Sequence, residues 1–169
     1  MTTESLEHSG LHTSADARAG KYLTFFLNTE EYGLGILKVQ EIIGRQPITP
    51  VPRTPSYIRG VINLRGRIIP IMDLKRKFDM GDTTLTEESC IIVTQTVGVM
   101  MGVLVDKVSE VLNINGQDIE DTPSFGTAVD TAFLLGVGKT GDRVKLLLDI
   151  DRTVTGETLN DLKKAAGQI

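Results

Sequence analysis

The apolar residues of this chain fall in short runs of strand length, separated by Gly, Pro, Asn and Asp, and helical spacing shows in only two places. Residues 21–28 set Tyr22, Thr24 and Phe26 against Leu23, Phe25 and Leu27, which predicts a strand covered on both faces. Glu30-Glu31 reads as a turn, and a second strand starts at Tyr32. In residues 36–43, Ile36, Val39 and Ile43 recur at helical spacing while Lys38 and Glu41 lie on another face. One or two turns of helix ending at Gly44 are predicted there. Residues 45–57 hold Pro47, Pro50, Pro52 and Pro55, so an extended connection is expected, with at most one short strand near Ile48. Thr54 before Pro55 has the pattern of an N-cap and a first helical residue, with Gly60 stopping the turn.

Residues 58–73 carry the clearest pattern. Two apolar runs, Val61-Ile62 and Ile68 to Met72, flank Asn63-Leu64-Arg65-Gly66. Asn and Gly tolerate positive φ, so a β-hairpin turning around Arg65 and Gly66 is predicted. Gly60 suits a tight entry to its first strand, and Pro70, which cannot donate to a ladder, suggests an edge position or a bulge in the second. Such a hairpin holds Arg65 out on a rigid support with no nucleophile or metal ligand beside it, the geometry of a recognition surface. A short helical turn follows over 73–78, then a polar linker over 80–87.

A second series of strands occupies 89–96, 99–105 and 107–114, followed by an acidic loop over 115–124 and a hairpin of 132–138 with 143–150 around residues 139–142. Leu159, Leu162 and Ala166 mark one face of a last helix, closed by Gly167. The two series align as copies. The run from Tyr32 to Ile43 matches Met101 to Leu112 without gaps, sharing Gly, Lys, Val and Glu. Gly60-Val61 falls on Gly136-Val137, and Arg67 to Asp73-Leu74 on Arg143 to Asp149-Ile150. Each copy of about 60 residues is marginal alone. The expected fold is therefore mainly β, two small five-stranded barrels packed on a shared apolar seam with a few short helices. The expected organisation is a disordered tail over 1–20, a domain over 21–156 in two packed or intertwined halves (21–86 and 87–156), and a C-terminal helix over 157–169.

Composition narrows the chemistry. A net charge of −4 gives no general affinity for nucleic acid or anionic lipid. Its distribution is uneven: from Arg59 to Lys77 there are six basic residues against one acidic, and from Asp79 to Asp130 ten acidic against one basic. The basic cluster Arg59, Arg65, Arg67, Lys75, Arg76 and Lys77 raises the alternative of a small barrel that binds nucleic acid. With no Trp and 5% aromatic residues there is no stacking platform to support it. No apolar run approaches the roughly 20 residues of a membrane span, and the first 20 residues lack the basic and apolar regions of a secretion signal, so a cytoplasmic location is expected.

His8 and His12, the two histidines, fall in the expected tail, which leaves the folded body without a His-based triad or zinc site. Cys90, the single cysteine, sits in a β run and reads as a buried structural residue. Gly138-Lys139-Thr140 imitates the end of a phosphate-binding loop, but Phe133 stands where that loop needs glycine and a β run follows. The run from Leu147 to Val154 fits the aspartyl-nucleophile motif of haloacid-dehalogenase-type phosphatases, yet too little chain follows to supply the remaining groups, and the repeat explains Asp149 as the counterpart of Asp73. Neither catalysis nor a cofactor or metal is expected.

The segments Glu30-Glu31-Tyr32-Gly33, Ile36 through Ile42, Ile58-Arg59-Gly60-Val61, Asn63 through Gly66 and Ile69 through Leu74 together resemble the CheW family of bacterial chemotaxis coupling proteins, in matching order from Lys21 to the C-terminal helix. The resemblance implies two SH3-like five-stranded barrels and a non-catalytic adaptor. Its implied partners are the cytoplasmic tips of chemoreceptors (methyl-accepting chemotaxis proteins) and the regulatory domain of the histidine kinase CheA, within membrane-associated receptor arrays. The family's Lys-Val-x-Glu maps to Lys38, Val39 and Glu41, and its Asn-Leu-Arg-Gly to Asn63, Leu64, Arg65 and Gly66; with Gly60 these are the expected docking residues. Glu41 and Arg65 are implied to face each other near the receptor-contacting groove.

Overall fold

The computed structural model of the chain describes residues 17–96, 98–122 and 131–167. His8, His12 and the expected tail up to residue 16 lie outside the described residues, as do residues 123 and 124 of the expected acidic loop. The strands of the first copy are β1 (Gly20–Leu27), β2 (Glu30–Gly35), β3 (Val39–Gly44), β4 (Ile58–Leu64) and β5 (Arg67–Asp73). Those of the second are β6 (Cys90–Thr96), β7 (Val99–Val105), β8 (Lys107–Ile114), β9 (Ile119–Glu120), β10 (Leu134–Thr140) and β11 (Arg143–Leu148). The described residues also include the short helices α1 (Leu74–Lys77), α2 (Ile150–Thr153) and α3 (Glu157–Ala165).

The chain is mainly β, as its apolar pattern requires, but the two sheets do not follow the division at residues 86 and 87. One sheet has the order β8-β1-β2-β11-β10-β9 and the other β3-β6-β7-β5-β4. Each copy thus lends its first two strands to the other copy's sheet. Of the four ladders that join the copies, β1–β8 and β3–β6 are antiparallel, and β2–β11 and β5–β7 are parallel in the same register: Gly33 opposite Leu147 in one, Gly102 opposite Ile71 in the other. The copies also share their irregularities. A bulge falls between Ile58 and Gly60 and again between Leu134 and Gly136, and Thr49 pairs with Val61 where Glu120 pairs with Val137.

Three local expectations change. Residues 36–43 form a 3-10 turn over Ile36–Lys38 and then β3, not a helix. The β-branched Val39, Ile42 and Ile43 favour an extended backbone, and pairing of Ile42 and Ile43 with Ile92 and Ile91 secures it. Along β3 burial alternates, with Val39, Glu41 and Ile43 half-buried, so Val39 and Ile43, four residues apart, fit the strand period as well as the helical one. Likewise, Thr54-Pro55 starts no helix; Ile58 N donates to Pro55 O at 3.0 Å and closes a reverse turn. Pro70 does not lie on an edge strand, since β5 runs between β4 and β7. It is tolerated because Val61, opposite it, turns both its backbone groups toward Thr49, while pairing to β7 begins only at Ile71.

Apolar side chains fill three spaces. Ile62, Ile69, Ile71, Ile91, Val93 and Leu104 fill the five-stranded barrel, and Tyr22, Ile114, Ile119 and Leu147 fill the six-stranded one. The seam between them takes the opposite faces of the same strands, including Phe25, Tyr32, Met72, Val103 and Leu148. Leu162 and Ala165 on α3 close that seam. β5 and β11 therefore read as nearly continuous apolar runs, having no solvent face over most of their length.

At the end of each central strand an aspartate caps a helix. Asp73, with no exposed side-chain surface, accepts from Lys75 N (3.0 Å), Thr83 Oγ1 (2.7 Å) and Arg59 Nη1 (3.0 Å). Its counterpart Asp149 accepts from Arg152 N at 3.2 Å and is occupied in capping α2, as the repeat predicts. Farther on, Tyr57 donates to Asp161 Oδ2 at 2.8 Å, and Lys77 reaches Thr158 Oγ1 at 3.0 Å beneath the Tyr57 ring, fastening α3 to the body.

Two outcomes test this packing. Gly60 has φ +141°, and a β-carbon there would lie 2.1 Å from Thr49 O. Gly60→Ala is expected to lose roughly 2–3 kcal/mol, read from urea midpoints, and an unchanged midpoint would contradict the close backbone approach. Burial, reinforced by the bond to Asp161, pushes the Tyr57 hydroxyl up to about 12, and burial also raises Tyr22 and Tyr32. A phenol raised in the folded state supports stability fully below the unfolded value near 10 and loses that contribution as pH rises toward 12. Burial holds Lys77 below its ordinary 10.5, an effect of opposite sign that ends there. Urea midpoints should therefore fall between pH 10.5 and 12, less steeply in Tyr57→Phe.

Candidate docking surface

The β4–β5 hairpin turns on two residues, Arg65 at φ +52° and Gly66 at φ +87°, both in the left-handed range that a two-residue primed turn needs. Asn63 Oδ1 accepts from Gly66 N at 2.8 Å and braces the tip. Leu64, one residue along, turns inward onto the filling of the five-stranded barrel. Arg65 reaches across the barrel opening to Glu41 on β3, with Nη1 3.4 Å from Oε2 and a closer contact between Nη2 and Oε1. Its side chain stays 70% exposed against 33% for Glu41, and the neighbouring carboxylate holds the guanidinium's proton still more firmly. A pair this open adds little to stability and mainly fixes where the charges sit.

Beneath that pair lies a groove of about 290 Å³ at the barrel mouth, floored by Leu64, Ile69, Val93 and Met100 and rimmed by Glu41, Arg65 and Arg67. Of the sequence-derived residues, the fold brings together Glu41, Leu64 and Arg65 here, with Asn63 and Gly66 as support. It places the others elsewhere. Gly60 lies against Thr49 at the far end of β4, and Val39 packs on the seam. Lys38 points away to Asp151 Oδ2 at 2.6 Å.

Lys38 and Asp151 border a second, larger groove of about 510 Å³ at the front of the seam, where Gly35, Ile36 and Leu37 face Leu148 and Ile150. Leu37, at the crest of the 3-10 turn, is 95% exposed. The duplication places a counterpart of this region on the back of the molecule, with Asp106 in the position of Leu37 and Lys75 in that of Asp151. There Lys75 Nζ bonds Asp106 Oδ2 at 3.1 Å and Asn28 Oδ1 at 2.9 Å, so its charges satisfy one another. One face of the seam is internally paired; the other offers a bare leucine over an apolar groove. Leu37 escaped the sequence reading because a lone apolar residue in a turn carries no periodic signal. Comparing the two copies at 37 and 106 would have found it.

The basic cluster does not form a continuous face. Arg59 pairs with Asp73, Arg65 with Glu41, Lys75 with Asp106 and Arg76 with Asp82, while Lys77 is held under α3. Four of six cations already have carboxylate partners, which removes the electrostatic basis for holding a phosphate backbone. Cys90 is half-buried on β6, its thiol 3.4 Å from Glu88 O.

Comparison with known proteins agrees with this geometry. Residues 21–157 match the family model of a CheW-like domain. The chain is 40% identical over 139 residues to chemotaxis protein CheW of Klebsiella aerogenes, covering 82% of this chain and 84% of that one. It is 35% identical over 135 residues to chemotaxis protein CheW of Rhizobium meliloti, covering 80% and 87%. Among solved structures it resembles the scaffolding protein TtCheW from Thermoanaerobacter tengcongensis, at TM-score 0.76 and 38% identity over 83% of this chain and 90% of that one. A shared fold of exchanged barrels, together with matches spanning most of both chains, establishes that the chain belongs to the CheW family of non-catalytic chemotaxis scaffold proteins.

Proposed function

We propose that the chain couples the cytoplasmic tips of chemoreceptors to the histidine kinase CheA, acting in the cytoplasm and recruited to membrane-associated receptor arrays. The observation that supports this reading is the presence of two separate grooves on one fused body: the leucine-crested groove at the seam and the Glu41–Arg65 mouth of the five-stranded barrel. An adaptor needs two sites held at a set distance and orientation, and a shared core does that without moving parts. Lys38, Val39, Glu41, Gly60 and Asn63 through Gly66 then divide into roles. Glu41, Leu64 and Arg65 face a partner, Asn63 and Gly66 hold the tip, Gly60 and Val39 set the backbone, and Lys38 borders the seam groove. Among the described residues no helix is long and apolar enough to cross a membrane, which accords with recruitment through partners.

Co-sedimentation with receptor-containing membranes, with kinase and with each alone tests the proposal. The wild-type chain should sediment with the receptor membranes and retain kinase only when both are present. Arg65→Glu and Leu37→Asp should each weaken capture by about tenfold while leaving the thermal midpoint nearly unchanged, since both side chains are exposed. Combining Glu41→Arg with Arg65→Glu should recover part of the loss if the pair acts by orienting the mouth. A wild-type chain that sediments with neither partner contradicts the proposal.

A further inference from the structure

The two barrel mouths occupy equivalent places in the duplication, and they differ in how their charges are met. At the mouth of the six-stranded barrel, Glu31 on β2 lies 3.3 Å from Lys145 Nζ and 3.5 Å from Arg143 Nη2 on β11. Lys145 also reaches Thr140 Oγ1 at 2.9 Å, and the Glu31 and Lys145 side chains are 5% and 3% exposed. Cation and carboxylate come from the same chain, and the site is internally complete.

At the five-stranded mouth, Arg67 stands in the place of Arg143, Ile69 in that of Lys145, and Leu64 in that of Thr140. The strand pairings carry this correspondence through: Glu31 sits opposite Phe26 in one ladder, and Met100 opposite Gln95 in the other. Met100 therefore occupies the carboxylate's position. The Arg67 guanidinium, on the rim, has no hydrogen-bond or ion-pair partner among the described residues, and beneath it lie Leu64, Ile69, Val93 and Met100. An arginine whose carboxylate has been replaced by a thioether, on the charged rim of a groove with Leu64 and Met100 on its floor, is half of an interaction.

We infer that a partner supplies the missing half at this mouth: a segment that seats an apolar side chain on the floor and places a carboxylate beside Arg67, where Glu31 stands in the other barrel. The charge of the rim selects an acidic segment, and the apolar floor a hydrophobic neighbour within it. Arg67 is then a specificity-determining residue, distinct from Arg65, whose charge is already met by Glu41. The same logic shows how to close the site. A carboxylate restored in cis at position 100 would take Arg67 for itself and shut the groove.

This inference rests on the coupling role, and one set of measurements separates the two. Affinities are measured for a receptor cytoplasmic fragment and for the kinase regulatory domain, each with wild type, Arg67→Ala, Met100→Glu, Met100→Gln and the Arg67→Ala, Met100→Glu pair. For one of the two probes, Arg67→Ala should weaken binding about tenfold and reduce its salt dependence. Met100→Glu should weaken it at least as much, and Met100→Gln, similar in size but uncharged, clearly less. In the pair the two losses should fall well short of multiplying, because the new carboxylate acts through Arg67. Arg67→Ala removes an exposed side chain with no internal partner, so it tests the inference even if Met100→Glu lowers the thermal midpoint. Unchanged affinities in Arg67→Ala for both probes overturn the inference and leave the coupling role standing. So does a change confined to self-association in the ultracentrifuge, which would make a second copy the occupant. A wild-type chain that binds neither probe ends the coupling role and this inference with it.

Discussion

The reciprocal exchange of β1–β2 and β6–β7 between the two copies is the constraint on which this structure rests. The antiparallel ladders β1–β8 and β3–β6 carry part of the exchange, and the two parallel ladders are short, each pairing three residues across a junction. Their strands are buried on both faces, so each joins a barrel interior to the seam. A barrel of about 60 residues buries too little apolar surface to be secure alone. Exchange makes the first core impossible to complete without the second, and the molecule behaves as one body. Many contacts are consequently distant in sequence, as where β1 pairs with β8, and this topology must form slowly because long loops close before their contacts contribute.

That rigidity gives the candidate docking surfaces their meaning. The Arg65 tip and the Leu37 crest lie on turns, the parts of a fold free to vary, yet both are anchored by strands whose register the exchange sets. Duplication then supplies an internal comparison that a single domain lacks. Where both copies use a position structurally, the residue or its role persists: Asp73 and Asp149 cap helices, and Gly60 and Gly136 admit a close backbone. Where the copies diverge, one side is internally satisfied and the other is left open. Asp106 is bonded to Lys75 while Leu37 is bare, and Glu31 answers Lys145 while Met100 leaves Arg67 unanswered. Open positions on an otherwise satisfied framework are where binding free energy remains available.

Much of the site was legible in the chain because turn chemistry is local. Asn63, Arg65 and Gly66 announce a tip with positive φ, and the hairpin forms where they place it. Glu41 was found through family resemblance, though on a presumed helix. Its true position on β3 depends on pairing with β6, about fifty residues away, a contact that no local window contains. Arg67 drew notice only as part of a basic cluster. Its lack of a partner emerged once Arg59, Lys75 and Arg76 were seen to be paired and it was not.

By itself the sequence determined most of the strands, most of their turns and the matching of Asp73 with Asp149, since apolar alternation and turn chemistry depend on residues within a few positions of one another. Tertiary structure alone decided which sheet each strand joins. An apolar run with two buried faces is satisfied equally by pairing within its own copy or across to the other, so periodicity cannot distinguish them. It also decided the fate of Pro70, acceptable in the middle of a sheet only because Val61 opposite it bonds to Thr49. Which charges remain free was settled the same way. A carboxylate neutralises a cation through proximity in space, and the exchange of strands determines which of them become neighbours.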